Sequence, residues 1–193
     1  MLFTPKREID RRIANLRPLM EKASLDGAFF HYKIDYYYLS GTMQDAFLLV
    51  PLDAEPILFV HREFTRARRE SPLAQLVPVN SFSDVKPYAR GLRRVGFQLD
   101  VAPYNLVMRF KEILGDVEFV NVSPLTQELR KIKSPFELSI MERAAHIAKK
   151  VYDKVPELLR EGMKEIELGG LLEAYAKGLG HEGLLRTRSM NYE

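Results

Sequence analysis

Apolar residues Ile9, Ile13, Leu16 and Met20 recur at helical intervals, with Arg11, Arg12 and Arg17 falling elsewhere, which predicts an amphipathic helix. Thr4-Pro5 opens it with a capping hydroxyl and a first-turn proline. Pro18 lies inside the pattern and predicts a kink or a boundary. After Asp26-Gly27 the run Ala28–Tyr32 reads as a strand, and Tyr36-Tyr37-Tyr38-Leu39-Ser40-Gly41 as a short turn ending in glycine. Ala46–Val50 is unbroken apolar sequence, as expected of a strand covered on both faces. The short polar link Asp53-Ala54-Glu55-Pro56 before Ile57–Val60 predicts a hairpin.

A charged helix follows over Glu63–Glu70, then a strand at Leu76–Val79 and a second helix over Asp84–Arg93. Val95–Leu99 reads as a strand, Pro103–Leu114 as a helix and Val117–Val122 as a strand. This alternation predicts an α/β domain with a mixed sheet flanked by helices. The pattern changes near Ser123, and the stretch Ser123–Ser134 is the one clear boundary. Ser134-Pro135-Phe136-Glu137 is a capping box with proline at the first helical position. Phe136, Ile140, Ala144, Ile147 and Val151 then mark one helix face, which continues to about Glu161 with a bend at Pro156. Gly162 is the expected cap, and a last helix spans Glu165–Leu179.

Composition narrows the classes. The hydrophobic share of 46% against 28% charged residues predicts folded chain rather than disorder. The net charge of +3 is too small to argue for nucleic acid or a membrane surface. With no cysteine, neither disulfides nor thiolate metal sites are available. The charged N-terminus has no apolar signal region, and no apolar run approaches the roughly 20 residues of a membrane span. A soluble cytoplasmic protein is expected.

Several segments carry a resemblance. Tyr38-Leu39-Ser40-Gly41, placed after one strand and before a strand pair, resembles the Tyr-Leu-(Thr/Ser)-Gly turn of the creatinase/prolidase/Xaa-Pro aminopeptidase family. Leu129-Arg130-Lys131-Ile132-Lys133-Ser134-Pro135-Phe136-Glu137 resembles that family's junction motif, and Ala144 and Ala148 match small residues of the helix that follows. Glu161–Leu168 is similar to the opening of the family's second catalytic-domain helix, although Lys164 stands where a capping threonine is usual. Gly180-His181-Glu182-Gly183 resembles its end. The resemblance implies a creatinase/prolidase-like N-terminal domain over residues 1–125. Residues 126–193 would be a helical stub, the truncated start of a pita-bread metallopeptidase domain.

The same resemblance implies metal-dependent hydrolysis of a peptide bond, N-terminal to proline, or of a small related amide as in a creatine-type amidohydrolase. In that family two divalent metals (Mn, Co or Zn) are held by two aspartates, a histidine and two glutamates. All five lie downstream of the second pita-bread helix, so the chain is expected to be truncated, without its own metal ligands and inactive. The four histidines, His31, His61, His146 and His181, are scattered and show no ligand spacing. His146 is expected to serve packing or the surface, and His181 a loop or cap.

Family members form homodimers in which the N-terminal domain of one subunit leans over the partner's catalytic cleft. His31, Tyr37 and Tyr38 could therefore line a proline-containing peptide substrate. Alternatively, the tyrosines pack the core with their hydroxyls at its edge. Arg186, Arg188 and Asn191 resemble a polar lining stretch that could orient a peptide carboxylate, or they form a frayed tail. The arginines 62, 66, 68, 69, 90, 93 and 94 form the one basic concentration, explained by i,i+4 pairing on a solvated helix or by phosphate binding. Ser40 lacks a recognisable triad, and Gly169-Gly170 lacks the context of a phosphate loop. An assembly domain is the alternative of another class. The apolar face Phe136, Ile140, Ile147, Leu168 and Leu172 would favour association if left uncovered.

Overall fold

Strand β1 (Gly27–Phe30) is buried at every position, and so are the first five residues of its neighbour β2 (Ala46–Pro51). That pattern requires cover on both faces of the sheet, which the computed structural model, describing residues 3–183, shows directly. The sheet has six strands in the order β4-β3-β2-β1-β5-β6. The others are β3 (Ile57–Val60), β4 (Gln75–Pro78), β5 (Arg94–Phe97) and β6 (Glu118–Asn121). β2 pairs antiparallel with both β1 and β3, while β1–β5, β3–β4 and β5–β6 are parallel, so β2 alone runs against the rest. The expected mixed sheet and the β2–β3 hairpin are both present.

Side chains alternate between two cores, as the period of a strand demands. Ala28, Phe30, Leu48, Val50, Leu58 and Val60 face one side. There they meet Ile9, Ile13, Leu16 and Met20 of helix α1 (Lys6–Lys22), together with Tyr36 and Leu39 of helix α2 (Lys33–Ser40). Phe29, Phe47, Leu49, Phe59, Val95 and Phe97 face the other side. Helix α3 (Phe64–Glu70) links β3 to β4. A 3-10 helix (Phe82–Ala89) and helix α4 (Tyr104–Leu114) cover the second face through Val85, Ala89 and Phe110. Full burial of each large apolar side chain contributes about 1.5–3 kcal/mol. At Gly96 the layers approach so closely that a Cβ would lie 2.9 Å from that of Ala28 and 3.0 Å from that of Val122.

Four expectations need correction. The Tyr36–Gly41 turn is the second half of α2, closed by Gly41 at φ +81° with its N–H donating to the Tyr37 carbonyl at 2.8 Å. Tyrosine favours strands, but burial of Tyr36, Tyr38 and Leu39 overrides that preference. The Asp84–Arg93 helix is instead the earlier, shorter 3-10 segment, held by a capping box between Ser81 and Asp84. Within the Ser123–Ser134 stretch lies helix α5 (Ser123–Lys131), whose Leu125 and Leu129 pack on the α1 side of the sheet. α1 continues through Pro18 to Lys22 without a boundary.

The chain divides between Ile132 and Lys133, so α5 goes with the sheet. The second unit contains helices α6 (Pro135–Leu158) and α7 (Glu165–Gly178), which pack together. The capping box at Ser134 forms as expected: Glu137 N–H donates to the Ser134 hydroxyl at 3.0 Å, and Ser134 N–H to the Glu137 carboxylate at 2.8 Å. α7 begins with half of that arrangement, Lys164 N–H donating to Glu167 at 3.2 Å, because lysine has no acceptor to return. Neither helix contains a fully buried residue.

Candidate functional site at the carboxyl edge of the sheet

From β1 the chain moves outward through β2, β3 and β4, then crosses to the other side of β1 for β5 and β6. The carboxyl ends of the parallel neighbours β1 and β5 therefore flank the point where strand order reverses. Open α/β sheets bind ligands at such a point, because the diverging connections leave a crevice there. His31 and Tyr32 follow β1, and Gln98 follows β5, with Phe29 in register with Phe97.

Polar groups at this point satisfy one another. Gln98 is fully buried, and its amide oxygen accepts the backbone N–H groups of His31 and Tyr32, each at 2.9 Å. Its amide nitrogen donates to the carboxylate of Asp35, which is fully buried in the first turn of α2. The Arg130 guanidinium, from the last turn of α5, donates to the other Asp35 oxygen at 3.3 Å. Beside them the Ser123 hydroxyl donates to the Asp100 carboxylate. The half-buried His31 ring stacks on Phe97, with centroids 5.4 Å apart and planes 13° from parallel.

The three tyrosines diverge. Tyr36 is buried and its hydroxyl donates to the Gln44 carbonyl at 2.7 Å. Tyr38 is buried beneath the Arg12 guanidinium, 4.0 Å from its ring, and its hydroxyl reaches the Leu129 carbonyl at 3.5 Å. Arg12 in turn pairs with nearly buried Glu8 at 2.9 Å and donates to the Tyr38 carbonyl at 2.7 Å, tying α1 to α2. Tyr37 is exposed. His31 and Tyr37 thus offer surface on one short segment, whereas Tyr38 is committed to packing. Arg186, Arg188 and Asn191 lie outside the described residues.

Beyond α2, Glu70 closes a second polar cluster. It accepts from the Thr42 hydroxyl at 2.6 Å, from the Gln44 amide and from Arg66 at 2.7 Å. Burial alone would raise its pKa, but these donors together hold it below the ordinary glutamate value. Ser40 is buried, with its carbonyl accepting the Ser71 hydroxyl at 2.6 Å. Arg66 is spent on Glu70, Arg68 on the Ala74 carbonyl and Arg94 on Glu118.

Among the described residues, no group of three His, Asp or Glu side chains could hold a metal ion. His61 lies among Phe47 and Phe82, His146 is exposed on α6, and His181 accepts the Gly183 N–H at 3.0 Å. The described residues do not fit a dinuclear hydrolytic centre. Asp35, Gln98, Asp100, Ser123 and Arg130 escaped sequence reasoning. A polar residue directly after the apolar strand Val95-Gly96-Phe97 was the available signal for Gln98. Nothing local marked Asp35, and the junction motif that contains Arg130 gave no sign that it pairs with a residue 95 positions away.

Comparison with known proteins places this geometry. A family model of the Creatinase/Prolidase N-terminal domain matches residues 12–132. The Xaa-Pro dipeptidase of Pyrococcus furiosus is 28% identical over 173 residues, covering 89% of this chain and 49% of the relative. The prolidase structure from Pyrococcus horikoshii superposes with a TM-score of 0.80 at 25% identity, over 89% of this chain and 50% of that one. The Pyrococcus furiosus prolidase gives 0.79 at 29% identity, over 88% and 54%. The chain spans about half the length of these relatives. No helix among the described residues is long and apolar enough to cross a membrane. With its mixed sheet, flanking helices and matched span, the chain belongs to the creatinase/prolidase N-terminal domain family.

Proposed function

We propose that this chain serves a metal-dependent hydrolase of Xaa-Pro peptides as its substrate-side and assembly-forming portion. The observation that carries the reading is the match to half of each prolidase-type relative, joined to the misfit of the described residues with a metal centre. The manganese, cobalt or zinc implied by the family resemblance then belongs to the portion of the relatives that this chain does not span. In this reading His31 and Tyr37, displayed at the carboxyl edge, face the proline-containing peptide in a partner subunit's cleft. Arg186, Arg188 and Asn191, outside the described residues, remain candidates for orienting a peptide carboxylate, as the family resemblance implies.

The test is a Xaa-Pro dipeptide hydrolysis assay on two proteins. The 193-residue chain alone should release no proline with any of the three metals. Joined in frame to the second half of the Pyrococcus furiosus dipeptidase, it should release proline. In that fusion His31→Ala and Tyr37→Ala should raise KM by roughly 3–10-fold with less change in kcat, the signature of lost binding contacts. Hydrolysis by the chain alone, or a fusion indifferent to both substitutions, would overturn the proposal.

A second reading, an assembly module without catalytic purpose, draws on the second unit. Leu138, Met141, Tyr152, Ile166 and Leu171 are all exposed there. A fusion that assembles but never hydrolyses would favour it.

A further inference from the structure

The switch point between β1 and β5 is closed by one side chain with an unusual set of demands. Two adjacent backbone N–H groups converge on it from His31 and Tyr32, while a carboxylate, Asp35, faces its other end. The N–H groups require an acceptor with two lone pairs, and the carboxylate requires a donor. A primary amide supplies both without adding charge, and these partners dictate which end is oxygen and which nitrogen. Leucine would take this acceptor from the two N–H groups and this donor from the Asp35 carboxylate. Glutamate has the acceptors for both N–H groups, but its charge against the Asp35 carboxylate would drive the two side chains apart and break that pairing at neutral pH.

We infer that Gln98 is a positioning residue for the substrate-facing segment: its carboxamide pins the His31–Tyr32 turn and the base of α2 to the end of β5. The inference rests on the reading above, in which that segment meets substrate. Phe97, the residue before Gln98, carries the His31 ring by stacking, so the backbone and the ring of His31 are both referenced to one point of the sheet. Asp35 lies two residues before Tyr37, so the same amide sets where α2 begins and the direction in which Tyr37 is displayed. Arg130 extends the network to the end of α5, whose last residue, Lys131, precedes the division of the chain.

The test uses the 193-residue chain, isotopically labelled, with two nuclear magnetic resonance readouts. These are hydrogen exchange of the His31 and Tyr32 amides, and the ring-current displacement of the His31 ring protons by Phe97. Gln98→Leu should speed exchange of both amides about 100-fold or more and return the His31 ring signals toward unstructured values, leaving the Phe29 and Leu48 amides protected. Gln98→Glu should do the same at neutral pH. The double variant Asp35→Asn, Gln98→Glu exchanges the two ends of the bond: the new carboxylate accepts the N–H pair and the new amide donates to it. It should restore exchange and ring shifts to within a few-fold of the parent chain, which a merely space-filling role would not produce. Unchanged His31 signals in Gln98→Leu, or a double variant no better than Gln98→Glu, would overturn the inference. Should Gln98→Leu not fold, the comparison of Gln98→Glu with the double variant decides alone. Neither readout involves hydrolysis or metal. A pinned turn together with a fusion indifferent to His31→Ala would therefore support the positioning role while refuting the substrate-facing one.

Discussion

Glu70 shows how a single side chain couples stability to pH in this fold. It gathers Thr42, Gln44 and Arg66 behind the Gly41 cap, with its side chain only 11% exposed. Its folded pKa lies below the ordinary 4.5, so the carboxylate stabilises the native state fully above that value. The contribution falls away as pH drops through the lower, folded pKa. Glu70→Gln should therefore cost about 1–2 kcal/mol at pH 7, and the difference from the parent chain should shrink steadily below about pH 4.5. Urea denaturation followed by tyrosine fluorescence at several pH values measures this; a difference independent of pH would contradict it. Such clusters were invisible in the sequence, because Thr42, Gln44 and Glu70 are adjacent only after folding. The same holds for Arg12, read there as the polar side of an amphipathic helix. It is buried because Glu8 and the face and carbonyl of Tyr38 together satisfy its guanidinium.

The helices and strands with strong periodicity were legible, and the exceptions have physical causes. Apolar runs such as Ala46–Val50 and the spacing of Ile9, Ile13, Leu16 and Met20 reflect burial that any packing of the chain must honour. α2 was hidden because three consecutive tyrosines carry no helical signal; its formation depends on the tertiary contacts of Tyr36 and Tyr38 and on Gly41 at positive φ. α5 was hidden because its short apolar face, Leu125 and Leu129, sits in a polar segment that resembles a linker. The contact between β5 and its neighbours gives a sharp test of the sheet. Gly96→Ala places a methyl within 3.0 Å of Ala28 and Val122 and should destabilise the fold by about 1–3 kcal/mol. Equilibrium unfolding checks this, and a neutral effect would show that β1, β5 and Val122 are not packed as described.

For the whole chain, the division at Ile132 and Lys133 separates a domain with two well-filled cores from a helix pair that buries no residue fully. The order of elements and the junction residues 129–137 made the family legible. The contacts that shape the carboxyl edge were not, since Asp35, Gln98 and Arg130 meet from three distant segments. The exposed apolar side chains of α6 and α7 support self-association. Analytical ultracentrifugation should find a dimer, and a monomer at tens of micromolar would count against the assembly role. The central proposal is that this chain, which spans about half the length of its prolidase-type relatives, presents substrate-facing surface without holding the metals. Isothermal titration of the 193-residue chain with manganese, cobalt and zinc addresses it most directly. The account predicts no tight, stoichiometric uptake of any of the three; saturation at two ions per chain with micromolar or tighter affinity would contradict it.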